Sequence, residues 1–322
     1  MTDGDSRSDS SSAADLSVSP GAPKGRPRAD SSTRSARPWL WALAPAALGV
    51  VGTLVARGLP TQVEAYYSCG LYPRIGGVLN ALAARWASAT GSRVGDLSLR
   101  RASLSEVLIG VLLGVTLALL WKALRRGLGA LVRRALFLAG IAYLVFFGVW
   151  GLNHARVPLG HTLGLEVGPV TGDDLNNVAL ELERDLSMLL RHAPFDASGA
   201  VQTDDPAALA TLGGRAAMAW RDAIAREPAL GWQPAAVTCA PAFSGGLAAA
   251  SITGIFSPFT QEAHVVFGMP GVDMAFTALH EIAHVQGWAR EDEANYLAWR
   301  VGSRSGDPGL NVAAHALALV HV

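Results

Sequence analysis

Hydrophobic side chains fill three long stretches in the first half of the chain. Residues 38–56, 104–124 and 135–152 carry few charges. An apolar helix of about 20 residues is long enough to cross the hydrocarbon core of a bilayer. Trp39 and Trp41 open the first stretch, as aromatic side chains often do at a membrane interface. Because three such stretches follow one another closely, the pattern predicts three transmembrane helices rather than three buried core helices.

Basic residues mark the connection between the second and third stretches. The connection holds five of them and no acid: Lys122, Arg125, Arg126, Arg133 and Arg134. Short loops rich in lysine and arginine stay in the cytoplasm. We therefore expect a cytoplasmic N-terminus, with residues 57–103 and everything after residue 152 outside. The basic residues lack the interleaved aromatics of a nucleic-acid surface and the net charge is zero, so no nucleic acid is expected as a partner.

The segments on either side of the first stretch differ in character. Residues 1–37 are rich in Ser, Asp, Pro and Arg, which predicts a disordered cytoplasmic tail rather than a signal peptide. The outer loop, residues 57–103, has an amphipathic part at residues 75–86 that either lies on the membrane surface or covers the C-terminal domain. The same loop contains tyrosines that we interpret as interfacial: Tyr66, Tyr67 and Tyr72.

The composition after residue 152 is that of a soluble domain. Helical patterns occupy residues 171–192, 207–226 and, more weakly, 308–322. Short β-like runs broken by Gly and Pro occupy residues 236–239, 251–256 and 263–267. Together these patterns predict an α+β domain over residues 153–322.

The overall composition agrees with a membrane protein. Half of the 322 residues are hydrophobic and only 16% are charged, which is too apolar for a typical soluble chain of this size. The two cysteines, Cys69 and Cys239, are too few for a cysteine zinc cluster or a disulfide framework. They either form one bridge in an oxidising compartment or are two unrelated thiols.

The most specific chemical pattern is FTALHEIAHVQGWAREDEANYLAW, residues 276–299. In a helix, His280 and His284 project from one face about one turn apart, as two imidazoles that share a zinc ion must. Glu281 lies beside them and is placed to act as a general base. Two surface histidines on an ordinary helix are the alternative. Because carboxylates follow the motif at once, we expect a Zn²⁺ site.

A third ligand has to come from elsewhere, since catalytic zinc sites use three protein ligands. Gly287 predicts the end of the helix and a reversal of the chain, and residues 288–300 are predicted to form a second helix that returns past the first. On the returning helix, Glu291 and Asn295 share one face. Glu291 is therefore the predicted third ligand, and Asn295 a residue that orients a ligand. Glu293 is the alternative ligand, and the acidic run could instead be a solvated helix start.

The run QEAHVVF, residues 261–267, precedes the metal-site helix. Zinc peptidases lay substrate along an exposed strand edge beside the metal, so we expect this run to bind substrate backbone. His264 is then either a substrate contact or an ordinary exposed strand residue. Tyr296 is either an electrophile in contact with substrate or a side chain packed between helices.

Four stretches resemble an uncharacterised bacterial family of multi-pass membrane proteins with a C-terminal HExxH domain: VEAYYSCGLYPRI, WGLNHARVPL, GIFSPFTQEAHV and HEIAHVQGWAREDEANYLAW. The resemblance covers about residues 59–300 and implies a membrane-anchored zinc metallopeptidase, without a substrate. HExxH followed by Gly287 also resembles the start of the metzincin signature, with Arg290 in place of the third histidine. Residues 291–295 resemble the helix that carries the third ligand in gluzincins.

These observations predict a three-span membrane protein with an α+β, zincin-like C-terminal domain that hydrolyses peptide bonds outside the cytoplasm. The chain would lie in the bacterial cytoplasmic membrane, with membrane lipid and a peptide or protein substrate as partners. Two alternatives remain open. One is an envelope assembly or sensor protein whose metal only joins two helices. The other is a zinc hydrolase that acts on cell-wall amides.

Overall fold

The computed structural model describes residues 31–91, 102–193, 206–232 and 237–322. The predicted disordered tail falls mostly on residues 1–30, which lie outside the described residues. Its remainder, residues 31–37, forms the beginning of the first helix instead.

The described part of the chain is mostly helical, with one small mixed sheet. The first six helices are α1 Ser31–Arg57, α2 Pro60–Gln62, α3 Tyr72–Ala89, α4 Leu104–Leu124, α5 Leu128–Val149 and α6 Leu159–Thr162. The next six are α7 Gly172–Leu190, α8 Pro206–Arg226, α9 Ser244–Ala249, α10 Gly271–Val285, α11 Glu291–Ser303 and α12 Pro308–His321. The strands are β1 Val237–Cys239, β2 Gly254–Ser257 and β3 Glu262–Val265. A π-helical segment, Val63–Leu71, and two short 3-10 helices, Gly151–Ala155 and Pro228–Leu230, complete the chain order.

Within the described ranges, three helices are long and apolar enough to cross a membrane: Pro38–Arg57 within α1, then α4, then α5. α5 packs against both α1 and α4. The second span has the predicted bounds, but the third begins at Leu128 rather than at residue 135. Arg133 and Arg134 therefore lie in the first turns of α5. A membrane-crossing helix can accommodate them there, because long arginine side chains can reach back to the headgroup region.

The three strands lie in the order β1-β3-β2. β3 pairs in parallel with β1 and antiparallel with β2, so that Ala263 is opposite both Thr238 and Phe256. The run predicted as the exposed edge is thus the central strand, and every residue of β3 is buried. Within the described residues, β2 is the outer strand on the side of α10.

Helix α10 forms the centre of the C-terminal domain. It is apolar on nearly all sides and packs against α8, α11, α12 and the sheet. Gly287, with a φ of +89°, reverses the chain after the helix. The Gly287 N–H donates to the His284 carbonyl at 2.9 Å and the Trp288 N–H to the Ala283 carbonyl at 3.1 Å, which is the Schellman pattern. The predicted reversal is present, although α11 begins at Glu291 rather than at Trp288.

The outer loop folds onto this reversal. Tyr72 is fully buried, and its hydroxyl lies 3.0 Å from both the Gln261 side-chain oxygen and the Val285 carbonyl. Tyr67 is also buried, so the interfacial interpretation remains only for the exposed Tyr66. The reason is that both buried phenols have partners within the protein that replace water. The amphipathic stretch was expected either on the membrane surface or against the C-terminal domain. The first turns of α3 have the second place, since a Cβ at Gly76 would lie 2.6 Å from the ring of Trp232.

The two cysteines are free thiols. Cys69 is exposed on the π-helical segment and Cys239 ends β1. Of the two interpretations left open by the sequence, the structure has the unbridged one.

We expect Gly287→Ala to destabilise the protein more than Gly268→Ala. Both glycines have a positive φ, +89° and +93°, which is unfavourable by about 1–2 kcal/mol for an L-residue. A Cβ at Gly287 would also lie 3.0 Å from the ring of Tyr72, whereas a Cβ at Gly268 would meet nothing within 4 Å. Thermal unfolding midpoints of the two purified variants in the same detergent measure the difference. Equal shifts would show that the Tyr72 contact contributes nothing.

Candidate metal centre

Three donor groups converge where α11 runs back past α10. The Nε2 atoms of His280 and His284 are 3.1 Å apart. The Glu291 carboxylate approaches them from α11, with distances of 3.1 Å to His280 Nε2 and 3.6 Å to His284 Nε2. The structure therefore brings together the three residues predicted as ligands.

The spacing and the chemistry of these donors fit a zinc ion. Tetrahedral ligands at 2.0–2.1 Å from zinc are separated by about 3.3 Å, close to the distances found here. His284 Nδ1 lies 2.7 Å from the Trp288 carbonyl and must donate to it, so Nε2 is the nitrogen through which this side chain could bind a cation. Hydrogen bonds from His280 and His284 hold the pKa of Glu291 well below its ordinary value, so this donor is an anion.

Glu281 is the fourth polar group of the cluster. Its side chain is buried, and one carboxylate oxygen has no hydrogen-bond partner within the described residues. Burial raises its pKa to about 7, and the charge on Glu291 adds to the rise, while His280 and His284 oppose it. The carboxyl group can therefore gain and lose a proton near neutral pH.

Strand β2 lies directly over this carboxyl group. A Cβ at Gly254 would lie 2.5 Å from both Glu281 Oε1 and Thr277 Cγ2. Only glycine allows the outer strand to approach α10 so closely. Sequence analysis did not identify Gly254, although a glycine within a short β-like run can indicate a close backbone approach.

A cleft of about 650 Å³ opens over the three donors. One wall is β2 together with the residues just before it, and another is α10 with Glu291 and Asn295 of α11. Phe146 and Trp150, at the end of the third span, close one side, and Leu317 and His321 of α12 also line the cleft. The cleft therefore lies beside the end of α5, the third of the long apolar helices.

Asn295 and Glu293 are the other two residues of α11 that were considered for the site, and they lie in different places. Asn295 lines the cleft but makes no hydrogen bond to the three donors within the described chain. Glu293 points away: its Oε1 accepts from the Leu159 N–H at 2.8 Å and from Arg290 at 2.9 Å. This geometry favours Glu291 over Glu293 as a ligand, because Glu293 already holds the chain before α6 in place.

His264 and Tyr296 do not line the cleft. His264 is buried beneath the start of α4, with Nε2 at 3.0 Å from the hydroxyl groups of Ser103 and Ser105. The Tyr296 hydroxyl accepts a hydrogen bond from Arg300 at 3.2 Å, in agreement with the packing interpretation. The exposed-strand interpretation of His264 differs from the structure because β3 is central in the sheet.

A second group of potential donors surrounds His264. Glu262 and Cys239 lie close enough to join it around one ion. However, the Glu262 carboxylate already accepts from the backbone N–H groups of Leu104 and Ser105, at 3.1 and 2.8 Å. These contacts cap the N-terminus of α4. The Glu262 carboxylate therefore joins the sheet to this helix.

Two residues that were not predicted as site residues contact the end of α10 and the turn after it. Trp150 Nε1 donates to the His284 carbonyl at 3.3 Å, and its ring centroid is 6.0 Å from that of His284. Arg156 donates to the Gly287 carbonyl at 3.1 Å, stacks over Trp288 and forms an ion pair with Glu64. Both residues lie in WGLNHARVPL, one of the four stretches that carry the family resemblance.

The comparisons with known proteins give a family without an activity. A family model described as "Protein of unknown function (DUF3810)" matches residues 67–322, which includes α12 beyond the stretch where a resemblance was expected. No curated protein and no solved structure matches the chain. The predicted membership of an uncharacterised family is confirmed: the chain belongs to the DUF3810 family of proteins of unknown function.

Proposed function

We propose that this protein is a membrane-anchored, zinc-dependent peptidase with a zincin-like catalytic domain. The convergence of His280, His284 and Glu291 beneath a cleft that also contains the buried carboxyl of Glu281 carries the proposal. A site that only joined two helices would need the three donors but would have no use for Glu281. The buried carboxyl group therefore favours catalysis over a structural metal.

In this proposal His280, His284 and Glu291 would hold Zn²⁺. The ion would polarise the carbonyl group of the scissile bond and make water more acidic. Glu281 would take a proton from the attacking water and pass it to the nitrogen of the leaving amine. The Trp288 carbonyl would keep His284 in the required tautomer and orientation.

Strand β2 is the proposed site of substrate binding. Its outer edge faces the cleft, and an extended peptide can add to such an edge through backbone hydrogen bonds. This kind of binding depends little on the substrate sequence. The side chains on the walls are mostly apolar around Phe146, Trp150 and Phe256, and they would keep bulk water away from the reacting bond.

The proposed location is outside the cytoplasm. Basic residues lie at the end of α4 and at the beginning of α5. The cluster of His280, His284 and Glu291 lies near the other end of α5, where Trp150 donates to the His284 carbonyl. By the preference of lysine and arginine for the cytoplasmic side, the cleft would face the exterior.

We expect the purified full-length protein to contain about one zinc ion per chain. Glu291→Gln should weaken zinc binding by roughly 100-fold or more, because it removes an anionic donor, a larger change than the 10–100-fold typical of supporting residues. Glu293→Gln is the matched control and should leave zinc affinity within about threefold, since Glu293 bonds to Leu159 and Arg290. Elemental analysis and competition with a chromophoric chelator give both quantities. The reverse ranking would exclude Glu291 as the third ligand.

We expect Glu281→Gln to retain zinc and lose peptidase activity by about 10²–10⁴-fold, the usual contribution of a general base. Glu183→Gln, which makes the same change on the exposed face of α7, should keep full activity. Cleavage of unfolded casein and of a proteome-derived peptide library by the protein in detergent provides the assay. A wild-type protein that binds zinc but cleaves neither probe, together with full cellular function of Glu281→Gln, would instead support a structural metal.

A further inference from the structure

A cavity of about 420 Å³ lies at the end of the spanning helices opposite the metal centre. It is bounded by the start of α1, the end of α4 and the first turns of α5. α1 lies tightly against α5, since a Cβ at Gly140 would be 2.7 Å from the backbone nitrogen of Ala46. The cavity is therefore a recess beside a close helix contact, open to the membrane boundary.

The rim of the cavity is basic. Among the residues that the structure describes, four cationic side chains and no carboxylate line it: Lys122, Arg126, Arg133 and Arg134. None of the four forms an ion pair within the described residues, whereas other arginines, such as Arg156 and Arg215, do. Arg133 lies over the ring of Trp39 at 5.3 Å, which holds its guanidinium near the rim. The recess thus carries positive charge that no described residue neutralises through an ion pair.

The remaining lining of the cavity is mostly apolar, and each of the three helices contributes to it: Ala42, Leu119, Ala123, Ala130 and Phe137. Leu119 and Phe137 lie three residues further into α4 and α5 than Lys122 and Arg134, so the apolar lining extends towards the middle of these helices. A site with cations at the membrane boundary and apolar walls towards the bilayer interior matches a molecule with an anionic head and hydrocarbon chains. Free phosphate would match the rim but not the walls.

We propose that this recess binds an anionic phospholipid, with the phosphate group held by the basic rim and the acyl chains along the apolar walls. Arginine guanidinium groups bind phosphate oxygens through paired, charge-assisted hydrogen bonds. Basic pockets between spanning helices are suited to anionic headgroups on the cytoplasmic side. The bound lipid would fix the ends of α1, α4 and α5 relative to one another. This proposal does not depend on the peptidase activity.

Lipid binding to the delipidated full-length protein tests the proposal. Native mass spectrometry in a zwitterionic detergent would measure binding of dioleoylphosphatidylglycerol and of dioleoylphosphatidylcholine. We expect one phosphatidylglycerol molecule to bind at least about tenfold more tightly than phosphatidylcholine. Binding should weaken as salt rises, because the charges lie near the membrane surface.

Two neighbouring arginines provide a matched pair of variants. Arg126 lines the cavity, whereas Arg125 lies over Trp121 at 5.1 Å and is not part of the lining. Arg126→Gln should weaken phosphatidylglycerol binding about fivefold, the effect of one basic residue near an anionic surface. Arg125→Gln should change it less than twofold. Arg126→Gln combined with Arg134→Gln should give a loss of more than about tenfold.

Three outcomes would overturn the proposal. The first is equal affinity of the wild-type protein for the two lipids, which needs no variant and so does not depend on the folding of one. The second is an equal effect of Arg125→Gln and Arg126→Gln. The third is displacement of the bound lipid by millimolar inorganic phosphate, which would identify a site for a soluble anion instead.

Discussion

The chain reversal at Gly287 is the constraint on which the candidate metal centre depends. The histidines can only contribute two donors from one helix, and a third donor must come from a chain segment that returns past them. The positive φ of Gly287 and the two Schellman hydrogen bonds turn the chain within the five residues that separate α10 from α11. The carbonyl of Trp288 in the same turn orients His284. One local structure thus ends α10, positions Glu291 and orients His284, a candidate ligand.

Segments that are distant in sequence hold this reversal in place. Tyr72 from the outer loop, Trp150 from the end of the third span and Arg156 contribute hydrogen bonds to the carbonyls of residues 284–287. On the other side of the sheet, Glu262 caps the first turn of α4. The long apolar helices and the C-terminal part of the chain are therefore joined at two points, and the cleft lies beside the end of α5. The family match, which begins at residue 67, covers nearly all of these contacts.

Periodicity and spacing were sufficient to predict the three long apolar helices, the short strands and the convergence of His280, His284 and Glu291. Local signals carry this information: apolar run length, the i, i+4 spacing and a helix-ending glycine. They could not predict that β2 rather than β3 is the outer strand, because strand order depends on long-range pairing. For the same reason the roles of Tyr72 and His264 were missed, since their partners lie more than 150 residues away in sequence.

X-ray absorption at the zinc K-edge, on the zinc-loaded full-length protein, tests the central claim most directly. We predict four nitrogen or oxygen neighbours at about 2.0–2.1 Å, with the outer-shell scattering of two imidazole rings. Sulfur neighbours at about 2.3 Å, a single imidazole, or zinc surrounded by water alone would contradict the account.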